Sequence, residues 1–515
     1  MGVNDQDQRE AIAFLGERET YGVVATAVER IDTHSATVFL AGDRAYKLKR
    51  AVRFSYLDFS TIERRHALCR AEVALNKRTA PEIYLEVRSI NREADGSYAF
   101  NGAGIVLDYV VVMRRFDQDS LFDRLAARGA LDDALVTQLS AEVARFHAAA
   151  EKTPGHGGRA SLEVEISGND GNLRLAPPEV FAPDVCRALV RRWRAELGRY
   201  AAVLDQRDQG GKVRRCHGDL HLRNICLWHD RPTLFDCIEF SEHLACIDVL
   251  YDLAFLLMDL LHRRLGAFAN LAFNAYLDLN DESDGIGALP LMMSLRAAIR
   301  AHTGLAAADA QPRPEQRQTI VDEAREYLLL ANHLLHDEVP RLIAIGGLSG
   351  TGKSTLARAL APDTGAAPGA RLLHTDALRK RLFGVAKTER LCADAYTPAV
   401  NETVYRLQRE AAMTYLRSGY SVIVDGVFTR SENRVAIAAV ARDCGAEFAG
   451  LWLIASADVL RGRVERRAGD MSDATVDVLE MQLAADCGAI EWTRIDAGGS
   501  VEDALTLVKA AVAPR

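Results

Sequence analysis

Two patterns of apolar and polar residues divide the chain. Residues 21–50 alternate as β-strands do, around a turn at 41–43. Residues 130–340 follow a mostly helical pattern, broken by short strands near 213–216 and 225–236. Strands followed by a large helical region predict a small sheet lobe and a helical lobe.

Beyond Pro340 the rhythm changes to apolar runs that alternate with helical segments. The runs lie at 341–346, 371–375, 421–425, 448–454 and 492–496. Such alternation predicts βαβ units and a parallel sheet. We therefore expect two domains, one at 1–338 (small lobe about 20–115, helical lobe about 116–338) and one at 339–515.

Composition excludes several classes of protein. The chain has 515 residues and a formal net charge of −8, which disfavours a general nucleic-acid binder. The start of the chain lacks an apolar signal segment. The long apolar stretch at 250–261 is interrupted by Asp252 and Asp259, so we expect no membrane span and a cytoplasmic protein. Nothing in the sequence indicates an oligomeric state.

A phosphate-binding loop opens the second domain. The segment 347–354 reads Gly-Leu-Ser-Gly-Thr-Gly-Lys-Ser and fits GxxxxGK[ST], after a predicted strand and before a predicted helix. Backbone N–H groups of such a loop wrap phosphates, and the helix N-terminus favours negative charge. The predicted nucleotide-binding residues are Gly347, Ser349, Gly350, Thr351, Gly352, Lys353, Ser354 and Thr355. Lys353 should reach the β- and γ-phosphates, and the Ser354 hydroxyl should hold Mg²⁺.

Two aspartates follow later strands of this domain. Asp376 is predicted to end the second strand and Asp425 the third, at the sheet edge where ligands bind in open α/β sheets. We interpret Asp376 as the group that takes a proton from an acceptor hydroxyl, and Asp425 as a ligand of Mg²⁺ or of its water. The alternative is that either aspartate caps the following helix.

An arginine-rich helical stretch comes afterwards, in which Arg463 and Arg467 are i,i+4 neighbours. With the phosphate loop and the Asp376-x-x-Arg379 element, this stretch resembles the P-loop kinases related to gluconate kinase, zeta toxin and chloramphenicol phosphotransferase. The resemblance covers about 341–515 and implies that the arginines stabilise the transferring phosphoryl group. A solvated basic face is the alternative.

The first domain contains His217-Gly-Asp-Leu-His-Leu-Arg-Asn224, which has the H-x-D-x-x-x-x-N spacing of a kinase catalytic loop. Asp219 would accept or orient the acceptor hydroxyl, and Asn224 would bind Mg²⁺. Asp236 follows where a kinase places its second metal-binding aspartate, within Phe-Asp-Cys-Ile-Glu-Phe rather than Asp-Phe-Gly.

These residues resemble the aminoglycoside phosphotransferase family, including choline- and homoserine-type kinases, over about 20–337. The resemblance implies a bilobal α+β fold like that of protein kinases, and an aspartate such as Asp252 that supports the catalytic loop. Lys47 is then expected to be the ATP lysine and Glu72 its partner, with Lys49 as a rival on the same strand face. Glycines are missing from the turn at 33–37, where hydroxyls and backbone N–H groups would have to cover the phosphates.

The whole arrangement resembles a bacterial family that fuses such a kinase domain to a C-terminal AAA-type P-loop kinase domain. It implies a bifunctional phosphotransferase that uses ATP and Mg²⁺ to phosphorylate hydroxyl groups of small molecules. The alternatives are a single active kinase regulated by the P-loop domain, or a toxin-like interaction module. Glu242 and Asp259 are either attractants for a cationic amine or ordinary surface charges.

Overall fold

The computed structural model describes residues 8–24, 27–33, 35–54, 57–309, 311, 313–336, 338–386, 389–466 and 473–512. The chain forms two compact units: Met1–Arg263 with Leu295–Ala331, and Arg264–Ser294 with Asn332–Arg515. We expected the segment 264–294 in the helical lobe, but it packs in the second unit. The predicted boundary at 338–339 stays a prediction.

The first unit contains a six-stranded antiparallel sheet in the order β1-β2-β3-β6-β4-β5. The strands are Val28–Asp32 (β1), Ala36–Ala41 (β2), Arg44–Lys49 (β3), Tyr84–Arg92 (β4), Tyr98–Phe100 (β5), Ile105–Arg114 (β6), Val213–Arg215 (β7), Ile225–Trp228 (β8), Arg231–Leu234 (β9) and Cys246–Asp248 (β10). The last four form two small pairs, β7 with β10 and β8 with β9. The predicted β2–β3 hairpin and the short later strands are confirmed.

Helices follow the sheet, as the pattern predicts. Up to His333 they are Arg9–Gly16 (α1), Ile62–Asn76 (α2), Phe122–Ala127 (α3), Asp133–Ala149 (α4), Gly158–Leu175 (α5), Pro183–Gln209 (α6), Glu242–Ala245 (α7), Val249–His262 (α8), Gly266–Leu279 (α9), Leu289–Asp309 (α10) and Pro314–His333 (α11). Helix α2 begins after Thr61, whose hydroxyl accepts a hydrogen bond from Arg64 N, and α8 begins after Asp248, which accepts one from Leu250 N. Such caps satisfy backbone donors that a helix start leaves unpaired.

Strand β3 sorts its side chains between two faces. Tyr46 and Leu48 belong to the apolar cluster that includes Phe14 of α1. Because successive side chains of a strand point to opposite faces, Lys47 and Lys49 lie on the other face, which α2 covers. This alternation places both lysines beside the helix that carries the predicted ion-pair partner.

The second unit contains a parallel five-stranded sheet in the order β12-β13-β11-β14-β15, as predicted. Its strands are Arg341–Gly346 (β11), Arg371–His374 (β12), Val422–Asp425 (β13), Glu447–Ile454 (β14) and Thr493–Asp496 (β15). Its further helices are Lys353–Leu360 (α12), Thr375–Leu382 (α13), Pro398–Arg417 (α14), Ser431–Asp443 (α15), Ala457–Glu465 (α16), Val476–Ala484 (α17) and Val501–Ala511 (α18). In the described part of the chain, no helix has the length and apolar character to cross a membrane.

Helix α9 joins this unit through side-chain amides that bind the edge strand β12. Asn274 Oδ1 accepts a hydrogen bond from Leu372 N at 2.8 Å, and its amide nitrogen donates to Ala370 O at 3.1 Å. The buried Arg371 guanidinium pairs with Asp278 at 2.5 Å. Edge strands expose unpaired backbone groups, and here α9 satisfies them. Segment 264–294 is therefore an integral part of the P-loop unit.

Replacing Asn274 with Ala should destabilise the P-loop unit. The change leaves Leu372 N and the Arg371 guanidinium short of a buried acceptor, which costs about 1–3 kcal/mol. Calorimetric unfolding of the full chain measures the loss. Gln318→Ala, on the exposed face of α11, is the control and should change stability by less than about 0.5 kcal/mol. Equal stability of the two variants would contradict the role of this contact.

Candidate active sites

A buried carboxylate fixes the loop that carries Asp219. Asp252 of α8 accepts hydrogen bonds from His217 N at 3.0 Å and Gly218 N at 2.9 Å, and its Oδ2 lies 3.1 Å from Nε2 of His147. Gly218 has φ +83°, and a Cβ there would lie 2.7 Å from Leu244 O. The two backbone groups that precede Asp219 are thus set by one side chain, which is the supporting role expected for Asp252.

The Asp219 carboxylate is partly accessible to solvent, with 38% of its side chain exposed. Asn224 Nδ2 donates to both the backbone oxygen and Oδ2 of Asp219, at 2.9 Å each. His221 Nε2 lies 3.3 Å from the same Oδ2. One turn of 3₁₀ helix, Leu222–Asn224, produces this proximity of the two predicted site residues.

The pKa of Asp219 is held well below its usual range. Burial opposes ionisation, but the positive charges of His221 and Arg300 and the hydrogen bond from His221 outweigh it. Asp219 is therefore a carboxylate at neutral pH, and it can accept a hydroxyl proton only as that proton's own acidity rises during transfer.

Asp236 reaches the site on a strained segment. Its φ is +61°, and its backbone N–H donates to the Tyr84 hydroxyl at 3.1 Å. The preceding residue, Phe235, donates its N–H to Asn224 O at 3.0 Å, and Nε2 of His217 lies 2.9 Å from Phe235 O. These bonds tie Asp236 to the catalytic loop. Carboxylate and amide oxygens from Asp236 and Asn224 are the donor type that Mg²⁺ prefers.

Lys47 and Lys49 share the carboxylate of Glu72. Lys47 Nζ lies 2.8 Å from Glu72 Oε1 and 2.5 Å from Asp236 Oδ1, while Lys49 Nζ lies 2.5 Å from Glu72 Oε2 and 2.5 Å from Glu239 Oε1. The Lys49 side chain is 2% exposed and the Lys47 side chain 16%. The predicted pair of Lys47 and Glu72 is present, and Lys47 is the lysine that also contacts Asp236.

The two glutamates differ in acidity. Burial raises the pKa of Glu72, but the charges of both lysines dominate and bring it to about 2. Burial dominates at Glu239, so its pKa is raised despite Lys49. The sequence pattern predicts no role for Glu239. Its contact with Lys49 spans 190 positions, and no local pattern of the sequence marks it.

Hydrogen bonds between Thr33 and Ala36 close the turn between β1 and β2. Thr33 Oγ1 donates to Ala36 O at 2.9 Å, and Ala36 N donates back to Thr33 Oγ1 at 2.9 Å. His34 lies outside the described residues. The idea that this turn covers nucleotide phosphates stays a prediction.

In the second unit, strand β11 leads into the phosphate loop and α12 leaves it. Gly347, Gly350 and Gly352 have φ of +141°, +87° and +85°. A Cβ would lie 2.7 Å from Leu453 O at Gly347 and 2.9 Å from Leu460 O at Gly350. Only glycine therefore fits the first two positions. The N–H groups of such a loop are the groups that bind phosphate, and one of them, Ser349 N, donates to Oε1 of Gln482 at 2.8 Å.

The predicted lysine and serine lie at the start of α12. Lys353 Nζ donates to the carbonyl oxygens of Gly347 and Leu348 at 2.9 Å each, so the ammonium lies over the loop. Asp425 Oδ2 lies 2.8 Å from Nδ1 of His374. Burial opposes ionisation of Asp425, but His374, Ser354 and Lys353 lower its pKa below the usual value. An ionised carboxylate beside a hydroxyl matches the oxygen donors that Mg²⁺ takes.

The structure corrects the position of Asp376. Strand β12 ends at His374, and Asp376 is the second residue of α13 rather than the last residue of the strand. The first turn of a helix favours an acidic side chain because of the helix dipole. The N-cap of α13 is His374, and Asp425 ends β13 as predicted, well before α15. Neither aspartate is therefore a helix cap.

Arg463 makes bonds within its own unit. Its guanidinium donates to Ala497 O at 2.7 Å and to Gly499 O at 3.0 Å, after strand β15. Arg467 lies outside the described residues. A role for either arginine in nucleotide binding stays a prediction.

Comparisons with known proteins match two separate parts of the chain to two different families. Residues 32–287 match the model of the Phosphotransferase enzyme family, and residues 342–485 match the model of an AAA domain. The chain is 30% identical over 480 residues to uncharacterized protein Rv2004c of Mycobacterium tuberculosis (strain ATCC 25618 / H37Rv), with 92% of each chain covered.

The chain belongs to the same two-domain family as this mycobacterial protein. Its first part is of the aminoglycoside phosphotransferase kind and its second part is a P-loop domain, so the predicted family resemblance and fold class are confirmed. The protein is accordingly a phosphotransferase enzyme of the kinase type.

Two solved structures are similar to separate parts of this family member. A choline/ethanolamine kinase family protein from Mesorhizobium loti is 16% identical, covers 64% of this chain and 95% of its own, and has a TM-score of 0.39. A gluconokinase from Sinorhizobium meliloti 1021 is 23% identical, covers 34% of this chain and 95% of its own, and has a TM-score of 0.23.

Lys47→Ala and Lys49→Ala should fail in different ways. Loss of Lys47 should lower kcat/KM for the nucleotide about 10–100-fold, which is the effect of losing one charge-assisted hydrogen bond to phosphate. The free energy of unfolding should change less, because the Asp236 side chain is 39% exposed and water can replace the lysine as its partner. Loss of Lys49 leaves Glu239, which is 6% exposed, without its counter-charge, and should lower the free energy of unfolding by about 3–5 kcal/mol.

Steady-state kinetics with varied nucleotide and chemical denaturation check the two effects. Lys77→Ala, at the exposed end of α2, is the control and should leave both quantities near wild type. A larger kinetic defect in Lys49→Ala than in Lys47→Ala, with unchanged stability, would assign the nucleotide to Lys49.

Proposed function

We propose that the chain is a bifunctional phosphotransferase in which each unit transfers the γ-phosphoryl group of ATP to a hydroxyl group of a small molecule, in the cytoplasm. The observation that supports the proposal best is that each unit has its own set of site groups. Asp219, Asn224, Asp236 and Lys47 converge in the first unit, and the phosphate loop, Lys353, Ser354 and Asp425 converge in the second.

In the first unit, Lys47 binds nucleotide phosphate while Glu72 holds the lysine in place. Asp219 orients the acceptor hydroxyl and receives its proton as the hydroxyl oxygen bonds to the γ-phosphorus and the bond to the leaving ADP oxygen breaks. Asn224 and Asp236 are the groups that would hold Mg²⁺, which neutralises phosphate charge when bound. Transfer of this kind depends mainly on alignment and charge, which the hydrogen bonds around Asp219 supply.

In the second unit, the N–H groups of the phosphate loop and the Lys353 ammonium bind the phosphates. Ser354 and Asp425 are the groups that would hold Mg²⁺, and His374 orients Asp425. Asp376 is half-buried in the first turn of α13, next along the chain from β12, which pairs with the strand that ends at Asp425. We assign to Asp376 the role of acceptor base in this unit.

Single-site variants separate the two activities. Labelled ATP and a pool of small metabolites should give two groups of products with the wild-type chain. Asp219→Ala should lower one group about 10²–10⁴-fold, the usual effect of losing a positioned base, and Asp376→Asn should lower only the other. ATP binding should change little in either variant, since neither carboxylate is assigned to the phosphates.

The exposed Asp394→Asn, on the segment after α13, is the matched control and should keep both groups of products. If Asp219→Ala removed every product, the P-loop unit would be regulatory rather than catalytic. If products survived in the double variant Asp219→Ala/Asp376→Asn, the assignment of both bases would be wrong.

A further inference from the structure

One N–H group of the phosphate loop is already bound by a side chain of the same unit. Ser349 N donates to Oε1 of Gln482, a residue of α17 that lies 133 positions further along the chain. With this contact in place, Ser349 is only 6% exposed. Each residue has a single backbone N–H group, so Gln482 and a nucleotide phosphate compete for this one.

Apolar contacts hold α17 beside the loop. Leu479 lies one turn before Gln482 on the same side of the helix, and it packs in a cluster with Leu348 of the loop. Helix α16 contributes Leu460 and Val464 to the same cluster. The side-chain amide of Gln482 is therefore held at the loop by helix packing.

The lysine of the loop also binds protein acceptors. Lys353 Nζ donates to the carbonyl oxygens of Gly347 and Leu348, which belong to the loop itself. These oxygens and Oε1 of Gln482 are neutral, whereas the oxygens of a phosphate carry charge. Charge-assisted hydrogen bonds are roughly twice as strong as neutral ones, so nucleotide phosphate can replace the protein acceptors.

Two roles for the Gln482 contact predict opposite effects. If the contact supported the shape of the loop, its loss would weaken nucleotide binding; if it competes with phosphate, its loss strengthens binding. The shape of the loop is already set by its glycines and by Thr351, whose N–H and hydroxyl donate to Leu348 O at 3.3 and 2.8 Å. The contact with Gln482 instead covers an N–H group, the kind of group by which such loops bind phosphate. Competition is therefore the role that fits the geometry.

We propose that Gln482 is an internal competitor of the nucleotide, whose side-chain oxygen occupies a phosphate position of the loop until ATP displaces it. The inference rests on the proposed function of the second unit, in which this loop binds ATP. No covalent bond changes in the exchange: a hydrogen bond to an amide oxygen is replaced by one to a phosphate oxygen. Because Gln482 belongs to α17, any ligand that draws this helix from the loop strengthens ATP binding, and ATP strengthens the binding of that ligand by the same factor.

The test measures the second unit within the full chain. A Lys47→Ala background silences the nucleotide site of the first unit, and calorimetric titration with a non-hydrolysable ATP analogue and Mg²⁺ gives the Kd at the phosphate loop. Gln482→Met keeps the length and the helix propensity of the side chain but removes the acceptor. Its Kd should fall about 2–10-fold, the effect of one neutral hydrogen bond that no longer has to be broken. An unchanged or raised Kd would overturn the inference.

Gln482→Glu changes the same contact in the opposite direction. A carboxylate strengthens the hydrogen bond to Ser349 N and repels phosphate, so the Kd should rise at least about 10-fold. Met481→Gln, at a neighbouring position of α17 that is 65% exposed, is the control and should leave the Kd within about 2-fold of wild type. Tripolyphosphate should show the same changes as the analogue, because the competition is for phosphate. Changes confined to the analogue would contradict the competition.

Amide hydrogen exchange tests the contact without any ligand. Exchange at Ser349 should be faster in Gln482→Met than in the wild type, and equal exchange would overturn the inference. Failure of the proposed function gives a different result. If the analogue binds in a Lys353-dependent way but both Gln482 variants keep the wild-type Kd, only the inference falls. If the second unit of the wild-type chain binds neither the analogue nor tripolyphosphate, the proposed function of that unit falls with it.

Discussion

Asp252 is completely buried, and the first active site depends on how its charge is satisfied. An ionised carboxylate inside a protein is stable only where hydrogen bonds replace its lost hydration. Here the donors are the backbone N–H groups of His217 and Gly218, with His147 behind them. The requirement that stabilises Asp252 therefore fixes the backbone that precedes Asp219, and it links the catalytic loop to the core helix α8.

The same constraint operates at two more points. Glu72 is fully buried and keeps its charge because two lysines bind it, and one of them is thereby held at the position where phosphate is expected. In the second unit, buried Asp425 keeps its charge through His374 and Ser354. In each case a buried acid positions a group that faces the proposed substrate. The two units have different folds, yet both use buried carboxylates to fix the positions of charged site groups.

What the residue pattern alone could predict was local, and the longer-range pair of Lys47 and Glu72 was expected only from the family resemblance. The spacing from His217 to Asn224 is set by a single loop and 3₁₀ turn, and the phosphate loop is set by glycines that only a strand–loop–helix turn needs. Contacts between residues far apart in the chain, such as the ion pair of Lys49 and Glu239, could not be predicted, since no local pattern links the two residues. Asp376 was misplaced by two residues because β12 gives way to α13 without a glycine or proline to mark the change.

The placement of segment 264–294 in the second unit could not be predicted from the local sequence pattern either. Its helix α9 has an apolar face like its neighbours, and only the three-dimensional match of Asn270 and Asn274 to the edge of β12 shows which unit it completes. Side-chain amides that replace a missing strand leave no periodic signature. The consequence is physical: a fragment cut at the sequence boundary would leave the backbone groups of β12 unpaired.

The central claim is that one chain holds two independent nucleotide sites. Isothermal titration calorimetry with a non-hydrolysable ATP analogue and Mg²⁺ measures it directly, because it counts sites without requiring either acceptor. We expect two sites per chain in the wild type, with Lys47→Ala and Lys353→Ala each removing a different one. A single site in the wild type, lost in both variants, would contradict it.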